Sequence, residues 1–198
     1  WGCEVVKVES FSGDIGRNSG SVFGLVANED ENAHFEFLNA GTRSLSIDLK
    51  TTAGKEVMDR LLAESNAFVS NMRLKALRGM GLDYETVSAK HPHLVWAHLD
   101  GFGNAGPDAD NPGFDNVAFW SRTGALLDFA EKDTAPLVAP SGVGDFAAGA
   151  TLAGGVAAAL YNQAKTGKGE KVMISLMAQS IWTLSILLQS IGMTGAEY

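Results

Sequence analysis

Short apolar runs alternate along the chain with segments whose apolar residues recur at helical spacing. The apolar runs predict strands at residues 4–9, 45–48, 67–70 and 94–99. The helical spacing predicts helices at residues 52–65, 74–78, 84–90 and 146–164, the first of them with Val57, Leu61 and Leu62 facing inward. Because strands that alternate with helices are typical of a mainly parallel sheet covered on both faces, the pattern predicts the α/β class.

Glycine, serine and proline mark loops at residues 14–32 and 103–113. The second loop begins inside a GxGxxG match, Gly101 to Gly106, but Pro107 follows where a dinucleotide-binding helix would have to begin. We therefore do not interpret this match as a nucleotide-binding motif. His91, His93 and His98 are close in sequence without further ligands at metal-binding spacing, so we expect no metal site.

Composition limits the partners of the protein. The chain has 198 residues, of which 45% are hydrophobic and 19% charged, which is enough to bury a core. A net charge of −8 without a run of lysine or arginine argues against nucleic acid or an anionic membrane as the main partner. Cys3 is the only cysteine, so no internal disulfide can form, and this fits a reducing cytoplasm.

The longest apolar stretch, residues 146–161, is rich in glycine and alanine. It is shorter than the roughly 20 residues that a membrane span needs, so we expect a buried helix of a protein that does not enter a membrane. Gly149, Ala153 and Gly154 lie on one side of this helix, where another backbone could approach closely.

Asp145 stands directly before this helix and has two interpretations. Aspartate favours the N-cap of a helix, where its carboxylate accepts a hydrogen bond from one of the first backbone N–H groups. A carboxylate on a glycine-flanked turn with little side-chain cover is also within reach of a substrate and could act as a nucleophile. The residues alone leave both interpretations open.

Five blocks of sequence carry a resemblance to a known family. They are "EVVKVES…GD", "RSLSIDLKTTAGKEVMDRLLAESNAFVSNMR", "GLDYETVSAKHPHLVWAHLDGFGNAGP", "PGFDNVAFWSRTG" and "GVGDFAAG…AALYNQAKTGKGEKVMISLM". In this order they resemble the family III coenzyme A transferases, also called the CaiB/BaiF family. The resemblance implies a Rossmann-like parallel sheet flanked by helices, within a homodimer whose two chains interlock.

Members of that family are about twice as long as this chain. Because the chain begins without Met and, by its pattern, already inside a strand, and ends at "GMTGAEY" without a clear terminus, we expect it to be a fragment of a longer protein. We expect residues 1–112 to form an incomplete Rossmann-like domain that binds coenzyme A. Residues 113–198 are then a helical segment that carries the catalytic aspartate and returns toward the large domain.

The resemblance implies that Asp145 is the nucleophile. Its carboxylate would attack a donor acyl-CoA to give a mixed anhydride, and the released thiolate would return to give an aspartyl-CoA thioester, from which a carboxylic acid acceptor takes the CoA. Backbone N–H groups at the start of the helix could hold the oxyanion. Coenzyme A thioesters are then substrates, and no tightly bound cofactor is expected.

The pair Phe114 and Asp115 distinguishes transferases from the related acyl-CoA racemases. The racemases place a histidine base at the position of Phe114, because deprotonation at the α-carbon needs a second acid/base group. Asp115 resembles the acidic residue that transferases keep beside that position, where it assists the active site. It is equally well explained as a carboxylate in the first turn of a helix.

The resemblance also suggests which residues contact coenzyme A. They are Ile47, Lys50, Asn71, Met72, Arg73 and Phe114. Lys75 and Arg78 depart from the usual context of the following turn, which weakens a phosphate-binding role for them.

Within the family, the chain looks closest to transferases that act on 2-hydroxy acids, such as the aryl-lactate enzymes. Phe119 and Trp120 could line an aromatic acceptor pocket or simply form the buried face of a helix. Two alternatives to a transferase remain at this point: an acyl-CoA racemase of the same family, or a non-catalytic fragment that only binds coenzyme A.

Overall fold

The computed structural model describes residues 2–19, 24, 26, 28, 31–137, 139 and 142–195. The chain divides into two compact units, Trp1–Arg60 and Leu61–Tyr198. In both units the described strands pair in parallel and are accompanied by helices, as the α/β prediction requires.

The first unit contains two parallel strands, β1 (Val6–Glu9) and β2 (Arg43–Ser46), in register from Val6 opposite Arg43. Between them lie the short helix α1 (Gly16–Ser19) and α2 (Ala33–Asn39). Helix α1 falls in the predicted loop 14–32, of which residues 20–23, 25, 27, 29 and 30 are outside the described part of the chain. Within this unit, the buried carboxylate of Glu9 on β1 accepts hydrogen bonds from the Arg17 side chain at 2.9 and 3.0 Å. These hydrogen bonds connect β1 to α1.

The second unit is built on a three-stranded parallel sheet in the order β3 (Ala67–Ser70), β4 (Val95–Asp100), β5 (Lys171–Ser175). Strand β4 is central and its first four residues are buried, which explains its continuous apolar run. Ser70 of β3 and Met173 of β5 both stand opposite His98 of β4. The three strands therefore run in the same direction, and their carboxyl ends lie at the same edge of the sheet.

Helices accompany these strands along the chain. After α3 (Thr52–Ala63), which crosses the division between the units, come α4 (Leu74–Met80), α5 (Tyr84–Lys90), a π-helix (Asn116–Ser121), α6 (Ala125–Asp128), α7 (Val143–Thr166), α8 (Leu176–Thr183) and α9 (Ser185–Thr194). Helix α4 ends at Gly81 in the left-handed conformation, with φ of 73°. Helix α5 begins after Asp83, whose side chain accepts a hydrogen bond from the Thr86 N–H at 3.1 Å.

The core around the π-helix settles one open alternative. Phe119 and Trp120 are 3% and 5% exposed and belong to a buried cluster of apolar residues. The other members of the cluster are Ala118, Ala125, Ala148, Leu176 and Leu184. The two aromatic residues therefore form a buried helix face, as one of the two interpretations of the sequence expects.

Most predicted elements are present with shifted ends. The strand at 67–70 and the helix at 84–90 are confirmed at both ends, and the other predicted strands and helices overlap the observed ones. In the predicted α3 face, Leu62 is buried together with Met58, while Val57 and Leu61 are half-buried. Strand β5 and helices α8 and α9 are not among the predicted elements. Strand β5 pairs with β4, so residues on both sides of the predicted boundary at 112 share one sheet. The predicted division into two domains at this boundary stays a prediction.

Helix α7 differs from its prediction in length and packing. It has 24 residues, longer than the apolar run on which the length argument against a membrane span depended, so that argument is wrong. By length and composition α7 could cross a membrane, as could the bent pair α8 and α9, a test that mostly buried core helices also pass. Within the described part of the chain, only four residues of α7 are buried, Gly144, Ala148, Leu152 and Ala159, so the prediction of a buried helix is wrong. Among the described residues nothing lies within 4 Å of a Cβ built at Gly149 or Gly154, so the close approach of another backbone that the sequence allows there is not made by this part of the chain.

Candidate active site

Helix α7 begins differently from the sequence-based expectation. Gly142 is the residue before the helix, in the left-handed conformation with φ of 79°, and Val143 is its first residue. Asp145 therefore lies in the first turn and is not the N-cap, so that part of the prediction is wrong. A glycine fits at the junction because positive φ costs it little.

The carboxylate at the start of α7 comes from Asp115, which directly precedes the π-helix. Its Oδ2 accepts a hydrogen bond from the Gly142 N–H at 2.9 Å. Asp115 is 6% exposed, and a Cβ at Gly144 would overlap its Oδ1, so only glycine allows this approach. Asp115 thus takes the capping role that the sequence predicts for Asp145, and it does so from 27 residues away.

Burial raises the pKa of Asp115. The N–H groups of Gly142, Gly144 and Asp145 and the indole of Trp120 act in the opposite direction, since each directs positive charge toward this carboxylate. Among the described residues, only the Gly142 N–H meets full hydrogen-bonding geometry with Asp115. The N–H groups that were expected to hold an oxyanion are therefore directed at Asp115.

The Asp145 carboxylate has a different environment. Its side chain is exposed, and no hydrogen bond or ion pair joins it to any residue in the described part of the chain. Desolvation by the surrounding protein raises its pKa, and the like charge of Asp115 raises it further. A carboxylate that is accessible, without donors and more basic than usual has the properties of a nucleophile.

Exposed apolar side chains flank this position. Phe114, beside Asp115, is 74% exposed, and Val117 follows it on the π-helix. Val143 and Phe146 are exposed on the first turn of α7. The hydrogen bond between Asp115 and Gly142 joins these two segments, so exposed apolar side chains lie on both segments that meet at the start of α7.

The predicted coenzyme A residues lie in three places, one of which is Phe114 beside the start of α7. Asn71, Met72 and Arg73 form an exposed turn between β3 and α4, at the carboxyl end of the strand. Ile47 and Lys50 belong to the first unit, where Ile47 is buried and Lys50 exposed. The structure thus brings Phe114 and Asp115 together with the first turn of α7, and it groups Asn71, Met72 and Arg73 in one turn.

One buried residue near that turn is missing from the sequence-based candidates. The His98 ring makes a 2.7 Å hydrogen bond through Nε2 to the Met72 carbonyl. His98 attracted notice only as part of a histidine cluster, and the described residues contain no group of three or more His, Cys, Asp or Glu that could hold a metal ion. Its position on β4, opposite Ser70 of β3, is the signal that would have connected it to the turn.

Comparison with known proteins agrees with this description. Residues 1–197 match the sequence profile of CoA-transferase family III. The chain is 40% identical over its full length to the (R)-2-hydroxy-4-methylpentanoate CoA-transferase of Clostridioides difficile. It is 41% identical over 189 residues, 96% of its length, to the cinnamoyl-CoA:phenyllactate CoA-transferase of Clostridium sporogenes. It spans 48% and 46% of these relatives, close to the ratio that the resemblance predicts.

A solved structure supports the same assignment. A CaiB/BaiF family protein from Brucella suis superposes with a TM-score of 0.89 at 30% identity, covering 98% of this chain and 51% of the other. Profile, relatives and fold therefore agree, and the chain belongs to CoA-transferase family III.

Proposed function

We propose that the protein transfers coenzyme A from an acyl-CoA donor to a carboxylic acid acceptor, with Asp145 as the nucleophile. The observation that carries this proposal is the state of Asp145: exposed, without a hydrogen-bonding partner among the described residues, and with a raised pKa. The two relatives that are about 40% identical are named as CoA-transferases, which supports the same reaction class.

The proposed reaction has two symmetrical halves. An Asp145 oxygen attacks the thioester carbonyl, the C–S bond breaks, and CoA leaves as a thiolate with an acyl-aspartyl anhydride on the enzyme. The thiolate then attacks the Asp145 carbonyl and releases the donor as a carboxylate. The acceptor carboxylate attacks the resulting aspartyl-CoA thioester, and the same two steps in reverse give the new acyl-CoA and free Asp145.

Asp115 supports this chemistry from the start of α7. It accepts the hydrogen bond of the Gly142 N–H at the start of the helix, and its charge disfavours ionisation of Asp145. Phe114 carries no acid/base group, so this site lacks the histidine base that the racemase alternative requires at that position.

For coenzyme A we propose contacts from the turn Asn71–Met72–Arg73, with Arg73 as a phosphate donor. The exposed side chains of this turn and its place at the carboxyl end of a parallel strand support the assignment. Ile47, Lys50 and Phe114 are proposed as further contacts from the family resemblance.

We propose a 2-hydroxy or aryl-lactic acid as the acceptor, because the two relatives are named for 2-hydroxy-4-methylpentanoate and phenyllactate. The exposed ring of Phe114 and the neighbouring apolar residues of α7 offer a surface for the hydrocarbon part of such an acid. Phe119 and Trp120 are unsuited to this role because they are buried in the core.

The complete protein is proposed to work as an interlocked homodimer in the cytoplasm, with CoA thioesters as substrates and without a tightly bound cofactor. Exposed apolar residues on α8 and α9 support an interface, among them Trp182 at 75% and Ile186 at 83% exposure. Sedimentation of the complete protein tests the dimer.

Mass spectrometry tests the nucleophile. The complete protein is mixed with an aryl-lactyl-CoA, quenched in acid and digested, and the peptide that contains Asp145 is examined for an added CoA. We expect the adduct in the unmodified protein and its loss, together with the loss of transfer, in Asp145→Ala. Asp110→Ala is the matched control, since it removes an exposed carboxylate from a loop.

Transfer at the normal rate in Asp145→Ala would exclude this mechanism. Tight CoA binding without an adduct or turnover in the unmodified protein would instead support the non-catalytic alternative.

A further inference from the structure

His98 is a buried polar residue in the middle of the central strand β4. It is 0% exposed, and its ring stacks on Trp96 with ring centroids 5.4 Å apart. A buried polar side chain is costly unless its hydrogen bonds are satisfied. The partner that His98 has therefore matters for how this part of the protein is held.

That partner is the backbone of the turn between β3 and α4. The Met72 carbonyl can only accept a hydrogen bond, so His98 must carry a proton on Nε2 and donate it across the 2.7 Å contact. The Met72 N–H donates to Ser70 Oγ at 3.1 Å. Both polar backbone groups of Met72 are thus fixed by side chains, from two neighbouring strands.

Within the described part of the chain, the side chains of this turn have no comparable restraint. Asn71, Met72 and Arg73 are all exposed, and Arg73, the residue before α4, makes no capping hydrogen bond with its side chain. A fixed backbone that presents exposed polar side chains is the arrangement of a preorganised binding turn. It lies at the carboxyl end of parallel strands, where ligands bind in open α/β sheets.

The second ring nitrogen of His98, Nδ1, is directed toward Asp100. His98 Nδ1 is 3.7 Å from Asp100 Oδ2, beyond hydrogen-bonding distance, and it has no hydrogen-bond partner among the described residues. Asp100 is itself held through Oδ1, which accepts the Gly103 N–H at 2.6 Å. Among the described residues, the His98 ring therefore makes its hydrogen bond to the Met72 carbonyl.

We propose that His98 is a positioning residue for coenzyme A binding: by donating from Nε2 to the Met72 carbonyl, it holds the turn Asn71–Met72–Arg73 in its binding conformation. The proposal rests on the proposed role of this turn in binding CoA. His98 itself does not touch the ligand, and it acts through the backbone of Met72.

Two substitutions separate the hydrogen bond from the packing of the ring. His98→Phe keeps an aromatic ring against Trp96 but removes the donor, whereas His98→Gln keeps an N–H near the position of Nε2 and removes the ring. Affinity for CoA is measured by calorimetry on the complete protein, and urea unfolding gives the stability of each variant. Arg73→Ala serves as the reference for loss of a direct contact.

We expect His98→Phe to raise the Kd for CoA by about threefold to tenfold, the effect of losing one hydrogen bond. His98→Gln should bind CoA nearly as tightly as the unmodified protein, even if it is less stable. Ser70→Ala removes the second restraint on Met72 and should weaken CoA binding in the same direction, which keeps the test decisive if His98→Phe does not fold.

Three results would overturn the proposal. If Arg73→Ala weakens CoA binding but neither His98→Phe nor Ser70→Ala does, the turn binds CoA without help from His98. If His98→Gln loses as much affinity as His98→Phe, the ring acts only through packing. If Arg73→Ala and Asn71→Ala also leave the Kd unchanged, the turn is not the CoA site, and that part of the proposed function fails with it, while the adduct on Asp145 is judged separately.

Discussion

Replacing Asp115 tests whether this residue both holds the start of α7 and tunes Asp145. Asp115→Ala removes the acceptor for the Gly142 N–H and the charge together, whereas Asp115→Asn keeps an acceptor oxygen and removes only the charge. The pair of variants therefore separates the structural effect from the electrostatic one.

The structure gives the expected size of each effect. Loss of an N-cap acceptor, which leaves its N–H group unpaired, costs about 0.5–2 kcal/mol. We expect Asp115→Ala to lower the free energy of unfolding by the same amount, about 0.5–2 kcal/mol. For Asp115→Asn, the lost attraction to the helix dipole, about 0.3–1 kcal/mol, is offset because a charge no longer has to be buried.

The pH dependence has a definite sign. Asp115 and Asp145 ionise less readily in the folded protein than their ordinary pKa of 3.8 implies, so both bind protons more tightly when folded. Their contribution to stability is therefore most favourable below pH 3.8 and declines as the pH rises through their folded pKa values. Asp115→Asn should reduce this decline, and it should also lower the pKa of Asp145 because the like charge is gone.

Two assays measure these effects. Urea unfolding across the acid range gives the stabilities, and the rate of adduct formation on Asp145 in a single turnover, followed against pH, gives the pKa of the nucleophile. In Asp115→Asn the acid limb of that profile should move to lower pH. The reasoning is refuted if Asp115→Ala is as stable as the unmodified chain, or if the acid limb in Asp115→Asn does not move.

Three further predictions concern packing, acid stability and reaction type. Gly144→Ala should lower the free energy of unfolding by at least about 1–3 kcal/mol, because its Cβ would overlap the carboxylate of Asp115. Gly154→Ala, where the described atoms leave open space, should raise that free energy by about 0.5–1 kcal/mol, and urea unfolding measures both. The hydrogen bond from Arg17 lowers the pKa of Glu9, a contribution that is present above its ordinary pKa of 4.5 and lost as the pH falls through the folded value, so Glu9→Gln should be less stable at neutral pH and lose less on acidification. In deuterated water a chiral 2-methylacyl-CoA should keep its α-hydrogen, since Phe114 is no base, and rapid exchange seen by mass spectrometry would show that another residue acts as one.

The fold was predictable where the signal is local. The strand at 67–70 is a short apolar run between helical segments, and the helix at 84–90 follows Asp83, a favourable N-cap. Strand β5 (Lys171–Ser175) was not predicted, although Gly167 and Gly169 mark the end of the preceding helix. A half-buried strand of five residues has too little periodicity to be distinguished by pattern.

The sequence indicated candidate residues for the site but not the contacts between them. The glycine-flanked turn indicated Asp145, and the resemblance indicated Asp115. That Asp115 caps α7 depends on a contact across 27 residues, and that His98 holds Met72 depends on one across 26. Such contacts follow from tertiary packing, so periodicity and capping preferences, which act over a few residues, do not predict them.

The two aspartates at the start of α7 have different contacts, and this difference separates two opposing requirements on a carboxylate. The N-terminus of a helix stabilises a negative charge and lowers the pKa of a nearby carboxylate, which would make a nucleophile weaker. Asp115 accepts the hydrogen bond of the Gly142 N–H, so this contact goes to a residue that is not the proposed nucleophile. Asp145, three residues beyond Gly142, has a raised pKa instead, first because of desolvation and second because of the like charge of Asp115. In the proposed mechanism, the buried charge of Asp115 thus adds to the basicity of the carboxylate that would react.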